Sequence, residues 1–416
     1  MRHLSVPRLE TERWRLALQE ANLLATNASI SGSGEHRLIP LDESAPSILP
    51  PPFSAFSIID ATPEIREPIL DWREILESLL GSSTYDGHRD AWPKAHEQIG
   101  DIIILKSLDL EIESYAKQIS VAMLESMPRM RIACLDTGVK GKFRVRNLTP
   151  LAIRYGGEIQ TITISDTALL TTEIREHGAV IIVDPSRAYF STKLSGEREQ
   201  NVVAARKLAK LLQRRLAVCD PYCGVGPALV HLLRADLIDK LLAGDLNPEA
   251  MPLLAKNLGA NGVEISKSNN ISTTSDIWSE LMAVRTNPLT ISDQTSSSEV
   301  SLFAGVSDAR RLQDNSELSQ KWDMLLVNLP HDTIEHLPDL LPLLRTDCTT
   351  LIRGWTILSN DKITTANEQL LSILPPIDTT LSPVHLIEPR KSYSASQSLC
   401  RFEVWLESKK SFTFAD

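Results

Sequence analysis

Three separated motifs carry residues of the types and spacing needed to hold a nucleoside. DPYCGVGP puts Asp220, Gly224 and Gly226 directly after the apolar run LAVC. Glycines let a backbone pass close to a ligand, and the helix start that follows presents free N–H groups. Asp245 stands 25 residues after Asp220, at the acidic end of KLLAGD. A carboxylate there can accept from both hydroxyls of a ribose. The turn is shorter than GxGxxG and no GxxxxGK loop occurs, so a pyrophosphate cradle is not expected. S-adenosylmethionine, a nucleoside without a pyrophosphate, suits such a turn. Asn328, in WDMLLVNLP, follows a later apolar run. An amide at that point can donate to a base carbonyl and accept from a ring N–H. A structural glycine turn and a strand-ending Asn-x-Pro are the plain alternatives for each motif taken singly.

These positions require strands to end at them. Glu197 to Arg214 reads as a helix with an apolar stripe of Val202, Ala205, Leu208, Ala209 and Leu212. LAVCD, KLLAGD, WDMLLV and TTLIRGW read as strands, with Pro248 opening a helix after the second. Strands alternating with helices predict a mostly parallel α/β sheet with a Rossmann-like arrangement. Ligands gather at the carboxyl ends of such strands, so Asp220, Asp245 and Asn328 are expected to share one crevice. CRFEVWLES alternates as a strand that would close the sheet.

Upstream, DIIILKSL reads as a buried strand, and Ile112, Tyr115, Ala116, Ile119 and Met123 recur at helical spacing. Strands at Met130–Leu135, TITI and VIIVD complete a compact α+β unit. The first segment carries helical patterns near Trp14–Leu23 and Pro68–Leu80. The expected organisation is a small N-terminal domain over 1–91, an α+β domain over 92–189 and the α/β domain over 190–416. A polar insertion falls within 262–321, where SNNISTTSD and SDQTSSSEV are turn-like.

Composition sets the outer bounds. The 416 residues are 42% hydrophobic and 23% charged, which is globular and neither disordered nor fibrous. No apolar run approaches the roughly 18 residues of a membrane span, and the first 20 residues lack a secretory core, so a cytoplasmic protein without membrane contact is expected; a monomer is expected as well. Five cysteines, with no CxxC and no histidine cluster, predict neither a disulfide framework nor a metal site. The net charge of −10 opposes a polyanion partner as a total. Its distribution does not: residues 129–154 hold seven Lys/Arg against Asp136, and residues 187–215 hold eight against Glu197 and Glu199. Two such stretches can form one positive face for RNA, although basic runs are more often a solvated helix face.

In order along the chain, several pieces resemble the tRNA guanine-37 N1-methyltransferases of archaea and eukaryotes, within the wider group that builds wyosine. VPRLETERWRLALQE looks like the family's leading domain, and IGDIIILKSLDLEIESYAKQI with GVKGKFRVRNL like its middle domain. REHGAVIIVDPSRAYFSTKLSGER resembles the entry to the methyltransferase core. DPYCGVGP, GDLNPEA and VNLP match its cofactor turn, acidic strand end and substrate motif, and RKSYS…CRFEVWL its closing strands. The likeness runs from about Val6 to Glu407 and is firmest between Gly100 and Pro330.

The resemblance implies a class I S-adenosylmethionine-dependent core acting on the anticodon stem-loop and body of tRNA, not on DNA. By the same likeness Arg144 would steady charge on guanine O6 and Glu197 would remove the N1 proton. Tyr189 would lie near the base, and Asn328 and Pro330 would contact the guanine and shape its pocket. Asp220, Gly224, Gly226, Asp245 and Asn247 would surround the cofactor with Asn328. Asp308, in the DAR-like piece SDARRL, matches the adenine-side acid better than Asp276 does. Thr192-Lys193 departs from the family's usual Pro-Arg pair. Alternatives are a wyosine-pathway aminocarboxypropyltransferase, a methyltransferase acting on a modified guanine 37, and a tRNA-binding protein that kept the fold without catalysis.

Overall fold

The computed structural model describes residues 1–409 except 33, 66–69, 142, 144, 163–169, 266–280, 287–296 and 330. The chain divides into two compact units, 1–81 and 82–416. In the first, β1 (Arg2–Pro7) pairs with β2 (His36–Pro40) and β3 (Ile58–Asp60), and α1 (Thr11–Glu20) buries Trp14 and Leu18. Trp14 meets Phe56 edge-on at 4.7 Å, which anchors this small core. Helix α2 (Trp72–Leu80) begins at a capping box: Asp71 accepts from the Arg73 amide and Glu74 accepts from the Asp71 amide.

The division falls ten residues before the expected one at 91. The reason is aromatic: Tyr85, in α3 (Ser82–Gly87), stacks on Trp92 at 5.6 Å, and Trp92 meets Tyr115 at 6.0 Å. Residues 82–92 are thereby bound to the chain that follows.

The second unit opens with a five-stranded sheet in the order β4-β5-β6-β7-β8. Its strands are β4 (Glu97–Ile99), β5 (Ile102–Leu105), β6 (Ile132–Lys140), β7 (Val145–Tyr155) and β8 (Glu158–Thr161). Helix α4 (Ala116–Ser126) connects the parallel pair β5 and β6, as its apolar spacing predicts. Next comes the hairpin β9 (Thr172–Glu176) and β10 (Ala179–Val183), turned by His177 and Gly178, both at positive φ. The hairpin holds to the five-stranded sheet, where the Thr172 hydroxyl donates to Asp101 Oδ1 at 2.7 Å and accepts from the Asp101 amide at 3.1 Å, and to the α/β core as well. Asn257 and Asn261 bind the backbone of Ile182 and Val180, so it docks on the α/β core and the expected boundary at 189 cuts through a joined structure.

The core is a nine-stranded sheet in the order β13-β14-β15-β12-β11-β16-β17-β19-β18. Its centre is parallel: β15 (Ser297–Val306), β12 (Ile238–Asp245), β11 (Leu216–Asp220), β16 (Met324–Val327) and β17 (Thr350–Ser359). β13 (Val263–Ile265) and β14 (Leu281–Thr286) extend one edge antiparallel. α5 (Ser195–Leu212), α6 (Pro227–Arg234) and α7 (Ala250–Ala260) contribute to the apolar layer on one face, and α8 (Thr333–Leu340) and α9 (Ile363–Ile373) to the layer on the other. This is a Rossmann-like α/β core with additional domains, as the alternation predicts. The order reverses beside β11, whose neighbours β12 and β16 leave a crevice at their carboxyl ends.

One closing strand differs from expectation. β19 (Gln397–Leu406) lies inside the sheet, and the edge is β18 (Ile387–Ser392), whose sequence IEPRKS shows no apolar alternation. Charges suit an edge strand, where they discourage pairing with another chain. The polar insertion within 262–321 lies partly outside the described residues, while β15 falls within its latter part.

Candidate functional site

β11 ends on Asp220, 3% exposed, whose carboxylate accepts from the Tyr222 amide at 3.2 Å. Burial, with Asp245 nearby, pushes this carboxyl up to about 8. The chain then turns sharply. The Cys223 amide donates to the Gly244 carbonyl, and the Gly224 amide donates to Asp245 Oδ2 at 2.8 Å. Gly224 and Gly226 have φ of 53° and 79°. A Cβ on Gly226 would stand 2.5 Å from the Leu254 Cδ1 methyl of α7, and the left-handed backbone there favours glycine. Beside Gly224 there is room: a Cβ there would have the Tyr189 carbonyl at 3.9 Å. Pro227 then starts α6 at the first turn, where its missing N–H costs nothing.

Asp245 ends β12, and its Oδ1 accepts from the Asn247 amide at 2.9 Å. Each oxygen therefore takes one backbone N–H and keeps further lone pairs for a ligand. Burial raises this carboxyl despite the two amides. Ser307 donates its amide to the Asp245 carbonyl, which brings the end of β15 alongside. Asp308 follows directly there, held below the usual carboxylate range by hydrogen bonds from Arg310. Asp276 lies outside the described residues.

A cavity above these strand ends is lined by Glu197 of α5, Asp220, Asn328 after β16, Arg353 of β17, and Trp355. Glu197 and Asp220 meet in one space with Asn328, which lies more than 100 residues further along the chain. Asn328 is exposed at its mouth. Tyr189 is 58% exposed on the loop beside the glycine turn. Arg144 and Pro330 lie outside the described residues.

The side chain of Asn247 is bound at both ends to backbone. Its amide donates to the Arg187 carbonyl at 2.7 Å, and its oxygen accepts from the Glu249 amide at 3.1 Å. The side chain pins the 184–190 loop.

Half of the positive charge expected on residues 187–215 is paired with carboxylates of the same chain. Arg187 pairs with Glu249 at 2.6 Å, Arg198 with Glu176 at 2.5 Å, Arg214 with Asp323 at 2.6 Å, and Arg215 with Asp236 at 3.5 Å. In the earlier stretch Arg131 pairs with Asp101 and Arg146 with Glu97. The partners are distant in sequence, so a count along the chain could not see them.

Three arginines of the site were not found by sequence reasoning. Arg390 Nε donates to Glu197 Oε1 at 2.9 Å, and Arg401 stands 3.9 Å from Oε2. Arg353, 2% exposed, donates to the Gln200 carbonyl and lies 3.4 Å from Glu403; burial pulls its guanidinium down to about 10. The last strands pack them against α5, and only RKSYS in the sequence hinted at a charged edge.

Comparison with known proteins finds related sequences and folds. Residues 172–285 match the TRM5/TYW2 methyltransferase domain, and residues 74–157 match the TYW2 N-terminal domain. A relative named tRNA (guanine(37)-N(1))-methyltransferase Trm5b, of Methanocaldococcus jannaschii, is 29% identical over 63% of this chain and 71% of its own. The Trm5b of Pyrococcus abyssi is 28% identical over 64% and 69%. The crystal structure of Pyrococcus abyssi Trm5b superposes over 98% of this chain and 99% of its own, with a TM-score of 0.54 at 20% identity. A second, described as the complex structure of aTrm5 and tRNALeu, covers 97% and 99% with a TM-score of 0.54. At that identity these structures establish a shared fold.

Proposed function

We propose that this homologue of the TRM5/TYW2 methyltransferases transfers a methyl group from S-adenosylmethionine to N1 of guanine 37 in the anticodon loop of tRNA. The observation that carries this reading is the meeting of Glu197, Asn328 and Asp220 on one cavity at the strand ends. The residues present suit the cofactor: Asp245 keeps lone pairs for a ribose, and the turn leaves open space at Gly224. When bound, S-adenosylmethionine supplies an electrophilic methyl group on a sulfonium sulfur, which leaves with its bonding pair. N1 of guanine is a weak acid, so methylation there requires proton removal and stabilisation of charge on O6. In this reading Glu197 accepts the N1 proton. Asn328, exposed at the mouth, orients the base edge, and Arg144 is assigned to O6 by resemblance. The base leaves the loop stack to enter, and Tyr189 offers an exposed ring beside the turn.

A second reading is transfer of the cofactor's aminocarboxypropyl group to a wyosine precursor. It is favoured by the match of residues 74–157 to the TYW2 N-terminal domain. One assay separates the two: single-turnover reaction with tRNA carrying guanine, adenine or the wyosine precursor at position 37, with the product base mapped. N1-methylguanine from the guanine transcript alone supports the first reading, and an aminocarboxypropyl product selects the second. In the same assay Glu197→Gln is expected to slow transfer by roughly 10²–10⁴ with tRNA and cofactor affinities retained. A fully active glutamine variant removes Glu197 from the role of base.

A further inference from the structure

Strand β18 carries a bulge beside the cavity. Pro389 pairs with Cys400 and Lys391 with Leu399, so Arg390 is the extra residue between two successive pairs. A bulge bends its strand and re-aims the side chain it carries. Here the re-aimed group reaches Glu197: Arg390 Nε donates to Oε1 at 2.9 Å, between residues 193 apart in sequence. The neighbouring Lys391 donates to the Lys193 carbonyl and ties the same hairpin to the chain entering α5.

The two oxygens of Glu197 are therefore unequal. Oε1 is held by Arg390. Oε2 is buried and, among the described residues, accepts no hydrogen bond. Arg401 stands 3.9 Å from Oε2, but its own NH2 is bound to Glu388 at 2.7 Å. A buried carboxylate oxygen without a donor is costly unless something arrives to use it.

We propose that Arg390 is a positioning residue for the transfer reaction: by binding Oε1 it fixes the plane of the Glu197 carboxylate and leaves Oε2 as the oxygen that takes the substrate proton. This rests on the reading of Glu197 as the base. The bulge is what makes the contact possible, because a regular β18 would not insert a residue at that point. The ion pair is also compatible with a purely mechanical tie between hairpin and helix, and Lys391 makes such a tie without touching Glu197.

A double-mutant cycle on the full chain separates these roles. Single-turnover rates at saturating tRNA and cofactor, with the affinity for each, are measured for Arg390→Ala, Arg390→Lys, Lys391→Ala, Glu197→Gln and the Arg390→Ala/Glu197→Gln double variant. Loss of orientation predicts a rate about 10- to 100-fold lower in Arg390→Ala, with affinities changed less than about threefold. Arg390→Lys recovers part of the rate, and Lys391→Ala keeps most of it. In the Glu197→Gln background Arg390→Ala has almost no further effect, since both changes remove one function. An equal fold-loss in both backgrounds, a loss confined to affinity, or an equal loss in Lys391→Ala overturns the proposal while Glu197 remains the base. A Glu197→Gln variant as fast as the wild type overturns the underlying reading instead.

Discussion

Asp220 shows how a single buried carboxyl links the site to stability. Its carboxyl is pushed up to about 8 and made a weaker acid, first by burial and further by Asp245, while the Tyr222 amide opposes the shift. An unfolded chain returns it to about 4. Between those values the folded protein holds the proton more tightly, so stability falls as pH rises from about 4 to about 8 and levels off above. Asp245 is raised in the same direction and adds to the slope. Asp220→Asn removes the Asp220 contribution. Denaturant midpoints measured at intervals from about pH 5 to pH 9 should fall less steeply in the variant, with the greatest relative gain near pH 8. An unchanged slope would place the pH dependence elsewhere. The residue identity was readable in DPYCGVGP, but its acidity depends on what surrounds it.

At the scale of elements, the cofactor turn is held from behind by helix α7. Asn257 is fully buried: its oxygen accepts from the Ile182 amide at 2.6 Å, and its amide donates to the carbonyls of Ile182 and Val225. One side chain thus joins β10 to the turn between β11 and α6. Asn257→Ala leaves several buried backbone groups unmatched and is expected to cost about 3 kcal/mol. Equilibrium unfolding should show this loss, and calorimetry with S-adenosylmethionine should show weaker binding because Val225 lies inside the turn. Full stability in the variant would mean that water replaces all three bonds. Nothing in KNLGANG marks Asn257 as a bridge, because a buried asparagine and a solvated one read alike in sequence.

For the whole molecule, the ion pairs revise the electrostatic expectation. The two basic stretches supply fewer cations to a polyanion than their composition suggests, since six of their arginines pair with carboxylates of the same chain. If every charge in both stretches met phosphate, log affinity against log salt would slope at roughly −10. With the observed pairing, tRNA binding between about 50 and 300 mM salt is expected to slope between about −3 and −6. Filter binding over that range checks it. A slope near −10 would mean that the internal pairs open on RNA, and a flat response would remove the phosphate contribution.

Local sequence determined a good deal of this protein. Apolar runs ending in Asp220, Asp245 and Asn328 specify parallel strands by pattern alone, and the glycine turn specifies its backbone by steric allowance. The helical spacing from Val202 to Leu212 likewise reads directly, because periodicity is a local property. Tertiary structure decided what depends on partners far along the chain. It set which arginines are neutralised, and it turned Asn247 to the Arg187 carbonyl. It moved the first boundary to 81 by an aromatic stack, and it placed Arg390 on Glu197 through one extra residue in an edge strand. A bulge has no signature in composition or period, since it arises from the pairing of two strands, and that pairing exists only once the sheet has formed.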